Sequence, residues 1–160
     1  MGIKQYVPST VCLKCDGCCR VDLATSPWRP RVGEHEPLSE HADAQGYLTT
    51  KPLHERHQCQ FFNPSDFTCT VYDKRPFECA LYPFVLSNED GEIKCYMHLA
   101  CPHIQDTLNS DTLNRYTSYL HDWFSSKSVN LWFQENGRLL HDYRHAQIEL
   151  HYVFTLPFHQ

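Results

Sequence analysis

What the chain lacks narrows its functions before any motif is considered. It has no positive excess: 14 Lys and Arg stand against 19 Asp and Glu, a formal net charge of −5. Nucleic-acid binders usually carry a basic stripe or surplus, so nucleic acid is not an expected partner. No apolar run approaches the roughly 18 residues that cross a bilayer. The start of the chain, MGIKQYVPSTVC, has no apolar h-region and no small-residue cleavage site. Tyr6 stands where an N-myristoylation signal wants Ser or Thr. These absences predict a soluble, cytoplasmic protein. Missing too are a glycine-rich phosphate loop, a G-x-S-x-G elbow and an H-E-x-x-H zinc helix. A cysteine nucleophile served by a histidine stays open, because such pairs meet in space rather than in sequence.

What the chain does have is nine cysteines in 160 residues. Disulfides do not persist in a reducing cytosol, and an odd count fits pairing badly. The aromatic content of 13% can supply a core without staples. The cysteines therefore read as metal ligands or reactive thiols. Four of them, Cys12, Cys15, Cys18 and Cys19, fall in the stretch VCLKCDGCCR. C-x2-C-x2-C supplies three thiolates from one loop, a spacing used for iron–sulfur clusters, while C-x2-C turns also hold zinc. Gly17 gives that loop freedom to bend. Cys19, next to Cys18, points elsewhere and could serve a different metal or close the site with a distant partner. The spacing is neither that of radical S-adenosylmethionine enzymes nor that of bacterial ferredoxins. Cys101-Pro102 is a Cys-Pro pair of the kind found at iron–sulfur ligands.

The chain divides by composition at about residue 102. Residues 1–102 hold all the cysteines, and 103–160 hold aromatics and histidines; the whole is expected to be one domain. CQFFN at 59, CTVYD at 69 and CALYP at 79 repeat Cys, any residue, apolar, aromatic. Around the turn NPSD at 63–66 the first two copies suggest a β-hairpin. A four-residue loop would send Cys59 and Cys69 to opposite faces, whereas a three-residue loop with a bulge would put them on one face. A shared metal predicts the bulged form. Pro76 fits the first turn of a short helix carrying Cys79, and Pro83 ends it. EPLSEHADAQG suggests a helix stopped by Gly46. Ser110 or Asp111 caps a helix over 111–126, with Leu113, Tyr116, Leu120 and Trp123 at helical spacing. Asn136-Gly137 ends a helix or turns a hairpin. Beyond it LLHDYRHAQIEL reads as helix and IELHYVF as strand. The fold class is α+β: small, loop-rich, organised by metal, with a short hairpin and helices in the last third.

Together these residues resemble the YkgJ-type cysteine-cluster family, regarded as a zinc- or iron-chelating domain and including the flagellin lysine N-methylases. The shared pattern is CLKCDGCC, then Cys59, then CTVYDKRPFEC with LYPF after it, then the Cys-Pro at 101, covering residues 12 to about 102. The resemblance implies metal ligation by Cys12, Cys15, Cys18, Cys19, Cys59, Cys69, Cys79 and Cys101. Eight thiols suffice for two four-ligand sites or for one cluster with spare cysteines. Cys95 is read as a buried free thiol. Arg20 and Arg75 stand beside the cluster in sequence and could offset its negative charge, or Arg75 could serve a structural ion pair. His98 and His103 could replace a thiol ligand. His141 and His145 would share a helix face, read as solvated. Trp123, Phe124, Trp132 and Phe133 are core or a protein-docking surface.

The expected function is metal binding, with an iron–sulfur cluster (4Fe-4S) ahead of zinc because of the three-thiol loop and the Cys-Pro. Two alternatives stand beside it. One is an S-adenosylmethionine-dependent protein lysine N-methylase, implied by the resemblance alone. The other is a zinc-stapled structural subunit whose aromatic C-terminal part docks on a larger complex. Whether the protein is an enzyme is open at this point.

Overall fold

A computed structural model describes residues 2–15, 17–146 and 149–159. It has an α+β fold, with three small antiparallel sheets and five helices among the described residues. The cysteine half is built from short pieces. Helix α1 (Ser9–Cys12) leads to a 3-10 turn at Gly17–Cys19 and then to strand β1 (Arg20–Val21). Strands β2 (Thr50–Leu53) and β3 (Arg56–Cys59) complete a sheet in the order β1-β3-β2. Strands β4 (Phe62–Asn63) and β5 (Thr68–Cys69) form a separate ribbon, and α2 (Phe77–Leu81) follows.

The larger sheet starts at β6 (Phe84–Glu89) and β7 (Glu92–His98). Asp90 and Gly91 join them with φ of 57° and 92°. Two successive left-handed residues match the twist of a two-residue hairpin, and Asp-Gly is the pair that adopts them most readily. Strand β8 (Leu150–His159) pairs with β7 and gives the order β6-β7-β8. Between β7 and β8 run α3 (Pro102–Thr107), α4 (Asp111–Phe124) and α5 (Lys127–Glu135). The Ser110 hydroxyl accepts from the Leu113 N–H at 3.1 Å and caps α4. Leu113, Tyr116, Leu120 and Phe124 form its buried stripe. That stripe joins Phe77 and Leu81 of α2, Phe84 and Leu86 of β6, Ile93 and Met97 of β7, and Leu156 of β8 in one core. Phe77 is ringed by Trp123, Phe124, Trp132 and Phe133 at centroid distances of 5.2 to 6.4 Å. All four C-terminal aromatics thus pack against the helix that carries Cys79, so at least this face of theirs is core.

Several local expectations are corrected. The stretch EPLSEHADAQG makes only a 3-10 turn at Ser39–His41. The Glu36 carboxylate is drawn away, accepting from the Gly33 and Phe77 N–H groups at 2.7 Å each. The NPSD turn does make a hairpin, but four residues separate β4 from β5, with Phe67 left-handed at φ 59°. The three-residue bulged loop is absent. Cys59 is not part of that ribbon at all; it ends β3 and pairs with Thr50 of β2. The segment 140–146 is not helical: the His141 carbonyl accepts from the Asn88 N–H at 3.0 Å, and the Tyr143 N–H donates to the Ser87 hydroxyl. Edge contacts with β6 outcompete the local helical pattern, and His141 and His145 share no helix face. Gln147 and Ile148, the middle of that ambiguous stretch, lie outside the described residues.

Candidate metal centre

Six of the eight candidate cysteines line one cavity of about 420 Å³: Cys12, Cys18, Cys19, Cys59, Cys69 and Cys79. They come from α1, the 3-10 turn after it, the end of β3, the end of β5 and α2. The separate secondary elements explain how residues so far apart in sequence converge without sharing a ribbon. Cys15 and Cys101 do not line the cavity; Cys101 lies within electrostatic reach of Cys18 and Cys15. All nine cysteines are free thiols. Among the described residues, no three Cys, His, Asp or Glu side chains are drawn together closely enough to hold a metal ion as the structure stands.

The environment favours the protonated thiols until a cation arrives. Burial raises the pKa of Cys12, Cys59, Cys79 and Cys101, and neighbouring thiols add to it. Cys19 is raised first by its hydrogen bond with Cys18 and then by burial. Cys79 is raised well above the ordinary thiol range by burial, with Cys59, Cys18 and Cys69 also acting on it. It is half-buried and lines the cavity. Counter-influences mark the sulfurs as acceptors. The N–H groups of Phe61 and Phe62 bond to the Cys59 sulfur, and those of His103 and Ile104 bond to Cys101. Backbone donors two and three residues beyond a cysteine stabilise its thiolate and fix its direction.

Arg75 stands as a cation beside the thiols and, among the described residues, is held by neutral groups rather than by an ion pair. Its guanidinium lies over the Tyr72 ring, 3.9 Å from the centroid, donates to the Tyr72 carbonyl at 2.9 Å and bonds to Gln5. From there it lowers the Cys12 pKa, as does a hydrogen bond from Tyr72. Arg20 lies over Phe62 and Phe67 at the cavity wall. His98 also lines the cavity, whereas His103 does not; its ring packs on Tyr6 at 5.2 Å.

Glu78, next to Cys79, escaped the sequence reading. One oxygen accepts from the Arg31 N–H at 2.6 Å, and burial pushes its pKa up to about 7 from 4.5. An acid whose folded pKa lies above its unfolded value is stabilising only while protonated in the fold. Stability of the metal-free protein should therefore fall as pH rises from about 4.5 to 7, by roughly 2 kcal/mol once water in the cavity is allowed for. Glu78→Gln should flatten that part of the profile. Urea midpoints for both proteins at pH 5 and pH 8 check it; parallel slopes would refute it.

Cys95 is apart from the others. It is fully buried in the hydrophobic core, and burial alone raises its pKa. Cys95→Ala should leave metal content unchanged and cost about 1 kcal/mol of stability. Metal analysis and a urea titration test both halves of that statement.

The family model CxxCxxCC, "Putative zinc- or iron-chelating domain", matches residues 11–111. No curated protein and no solved structure matches the chain. No helix among the described residues is long and apolar enough to cross a membrane.

Proposed function

Because the chain belongs to the CxxCxxCC family of zinc- or iron-chelating domains, we propose that it holds thiolate-ligated metal through Cys12, Cys15, Cys18, Cys19, Cys59, Cys69, Cys79 and Cys101, with an iron–sulfur cluster as cofactor. The observation that carries this reading is the convergence of six thiols from five elements on one cavity of about 420 Å³. A single water-sized guest takes about 30 Å³, so the space suits a polynuclear centre.

We divide the eight thiols into two fours, with Cys18, which also acts on Cys19, Cys59 and Cys79, at the boundary between them. Cys15 and Cys18 both act on Cys12 and on Cys101, and Tyr82 senses Cys18, Cys101 and Cys15 together. Cys59, Cys69 and Cys79 act on one another, and Cys19 joins them. Each four contains one sulfur held by two backbone N–H groups, Cys101 in the first and Cys59 in the second. Four thiolates satisfy a 4Fe-4S cluster or one zinc ion. The C-x2-C-x2-C loop and the Cys-Pro in the first set support placing the cluster there, with the second set proposed as an adjoining four-thiolate site. Because the resting thiols are protonated, loading releases protons and affinity rises with pH.

Anaerobic purification followed by iron, sulfide and zinc analysis tests the reading. Iron and sulfide in similar amounts, with absorbance near 400 nm, roughly as expected for thiolate-bound iron, would support the cluster. A colourless protein with stoichiometric zinc would replace it by closed zinc sites.

A further inference from the structure

Part of the cavity wall carries no cysteine. It is made by Ser26, Trp28, Tyr82, Val85, His98 and Tyr143. Trp28 stacks on His98 with centroids 4.5 Å apart and planes at 7°, and Tyr143 lies 6.1 Å from it on a similar plane. His98 Nδ1 is 3.0 Å from the Tyr82 hydroxyl. Burial and the nearby thiols hold the Tyr82 pKa up, and burial holds the His98 pKa down. A protonated Tyr82 donating to Nδ1 leaves the neutral imidazole proton on Nε2. Nε2 has no partner among the described residues.

The charges around the cavity are paired or stand beside the thiols, as Arg20 and Arg75 do. Arg29 pairs with Asp43 at 2.6 Å and Arg56 with Asp22 at 3.0 Å. Arg75 is held by Tyr72 and Gln5. Glu78 accepts from the Arg31 backbone. Beyond the thiols and the two arginines that stand beside them, Arg20 and Arg75, an anion would find Arg29 and Arg56 already paired, and a cation would find Asp22 already paired. What remains is a wall of rings and aliphatic carbon with two N–H donors, the Trp28 indole and the His98 imidazole.

We infer that this thiol-free part binds a small, uncharged, planar organic molecule bearing a carbonyl oxygen, which accepts from His98 Nε2 and lies along the Trp28–Tyr82 wall. The inference rests on the thiol wall being occupied by metal, which leaves the remaining space to the ligand. Tyr82 lies between the two, hydrogen-bonded to His98 and within reach of Cys15, Cys18 and Cys101.

Three isosteric probes test it on the purified full-length protein, with metal measured in the same sample: benzamide, benzoate and benzylamine. The Trp28 indole N–H signal, identified through Trp28→Phe, reports occupancy by NMR. Benzamide should shift it and bind at least about tenfold more tightly than either charged probe. His98→Phe keeps a ring on Trp28 but removes both nitrogens; it should weaken benzamide about five- to tenfold, the worth of one hydrogen bond, without changing metal content or circular dichroism. His98→Gln, which can return an amide N–H, should recover part of the loss. No benzamide shift up to its solubility limit, tighter binding of a charged probe, or equal affinity in His98→Phe would overturn the inference. Metal present without benzamide binding sinks the ligand site alone; His98-dependent binding in a protein that cannot be loaded with metal sinks the metal reading alone.

Discussion

Cys79→Ser, purified anaerobically beside the unchanged protein, is expected to lose the metal of the Cys19, Cys59, Cys69 and Cys79 set and much of the order of the cysteine half. Cys79 is the best choice because Cys18, Cys59 and Cys69 act on it together. Its helix is also pinned on both sides: Glu36 accepts from the Phe77 N–H at its start, and Pro83 prevents its continuation. A serine there keeps the backbone and removes one donor of four. Four-thiolate zinc peptides bind with roughly 10–16 kcal/mol, so losing about a quarter of that weakens binding on the order of a hundredfold. In the same assay Cys95→Ser should hold full metal, since Cys95 is buried in the apolar core. Metal-to-protein ratio, absorbance and near-ultraviolet circular dichroism read the effect. Full metal occupancy in Cys79→Ser would remove it from the ligand set.

Residues 1–102, expressed without 103–160, are expected not to fold, whether or not metal is supplied. The division by cysteine content at residue 102 is not a division of the core. Of the nineteen buried residues in the main cluster, ten lie beyond it: Ile104, Leu113, Tyr116, Leu120, Phe124, Val129, Phe133, Leu139, Leu140 and Leu156. Each fully buried large side chain stabilises by about 1.5–3 kcal/mol. Their combined loss exceeds the roughly 5–15 kcal/mol that separates folded from unfolded states. The deletion also strips β8 from β7 and uncovers Phe77 two residues from Cys79. Metal alone would have to organise a chain with half a core. A cooperative thermal transition for the fragment, with metal bound at the full ratio, would show instead that the cysteine half is an independent domain.

How much of this was legible depends on the range of the forces involved. Helix α4 was readable because its cap and stripe are local: Ser110 reaches Leu113, and Leu113, Tyr116 and Leu120 recur at the helical period. The last buried position is Phe124 rather than Trp123, one residue from the expected spacing, because Trp123 lies partly buried against Phe77. The 36–46 stretch misled because its structure is decided from outside. Val32 N–H bonds to the Gly46 carbonyl and Leu48 N–H to that of Pro30, closing the segment as a loop. Gly46 is left-handed there, at φ 85°, but ends no helix. The Asp90-Gly91 hairpin is legible from its turn pair, which is a stronger local signal than NPSD.

At the site, the cysteine pattern was visible and its surroundings were not. Cys12 to Cys19 announce themselves by spacing, and Arg75 by its place beside the cluster. Trp28, Tyr82 and His98 meet only through the fold, and no spacing rule joins residues 28, 82 and 98. The role foreseen for Gly17 is not one the backbone demands: a Cβ there would sit 3.7 Å from the Cys15 sulfur, an ordinary contact. Glu78 looked like any surface acid in a helix, and only its burial makes it notable.

The distribution of the sulfurs along the chain sets which insertions the protein can absorb. Forty residues separate Cys19 from Cys59, and ten separate Cys59 from Cys69 and Cys69 from Cys79. Loop-closure entropy grows only with the logarithm of length, about 0.6 kcal/mol for each doubling. Joining Cys19 to Cys59 thus costs about 1 kcal/mol more than joining either ten-residue neighbour. Extra residues at the exposed Ala24–Thr25 turn should pass with little change in metal affinity. One residue added between Cys69 and Pro76 shifts the sulfurs of β5 and α2 relative to each other, and no entropy argument softens that displacement.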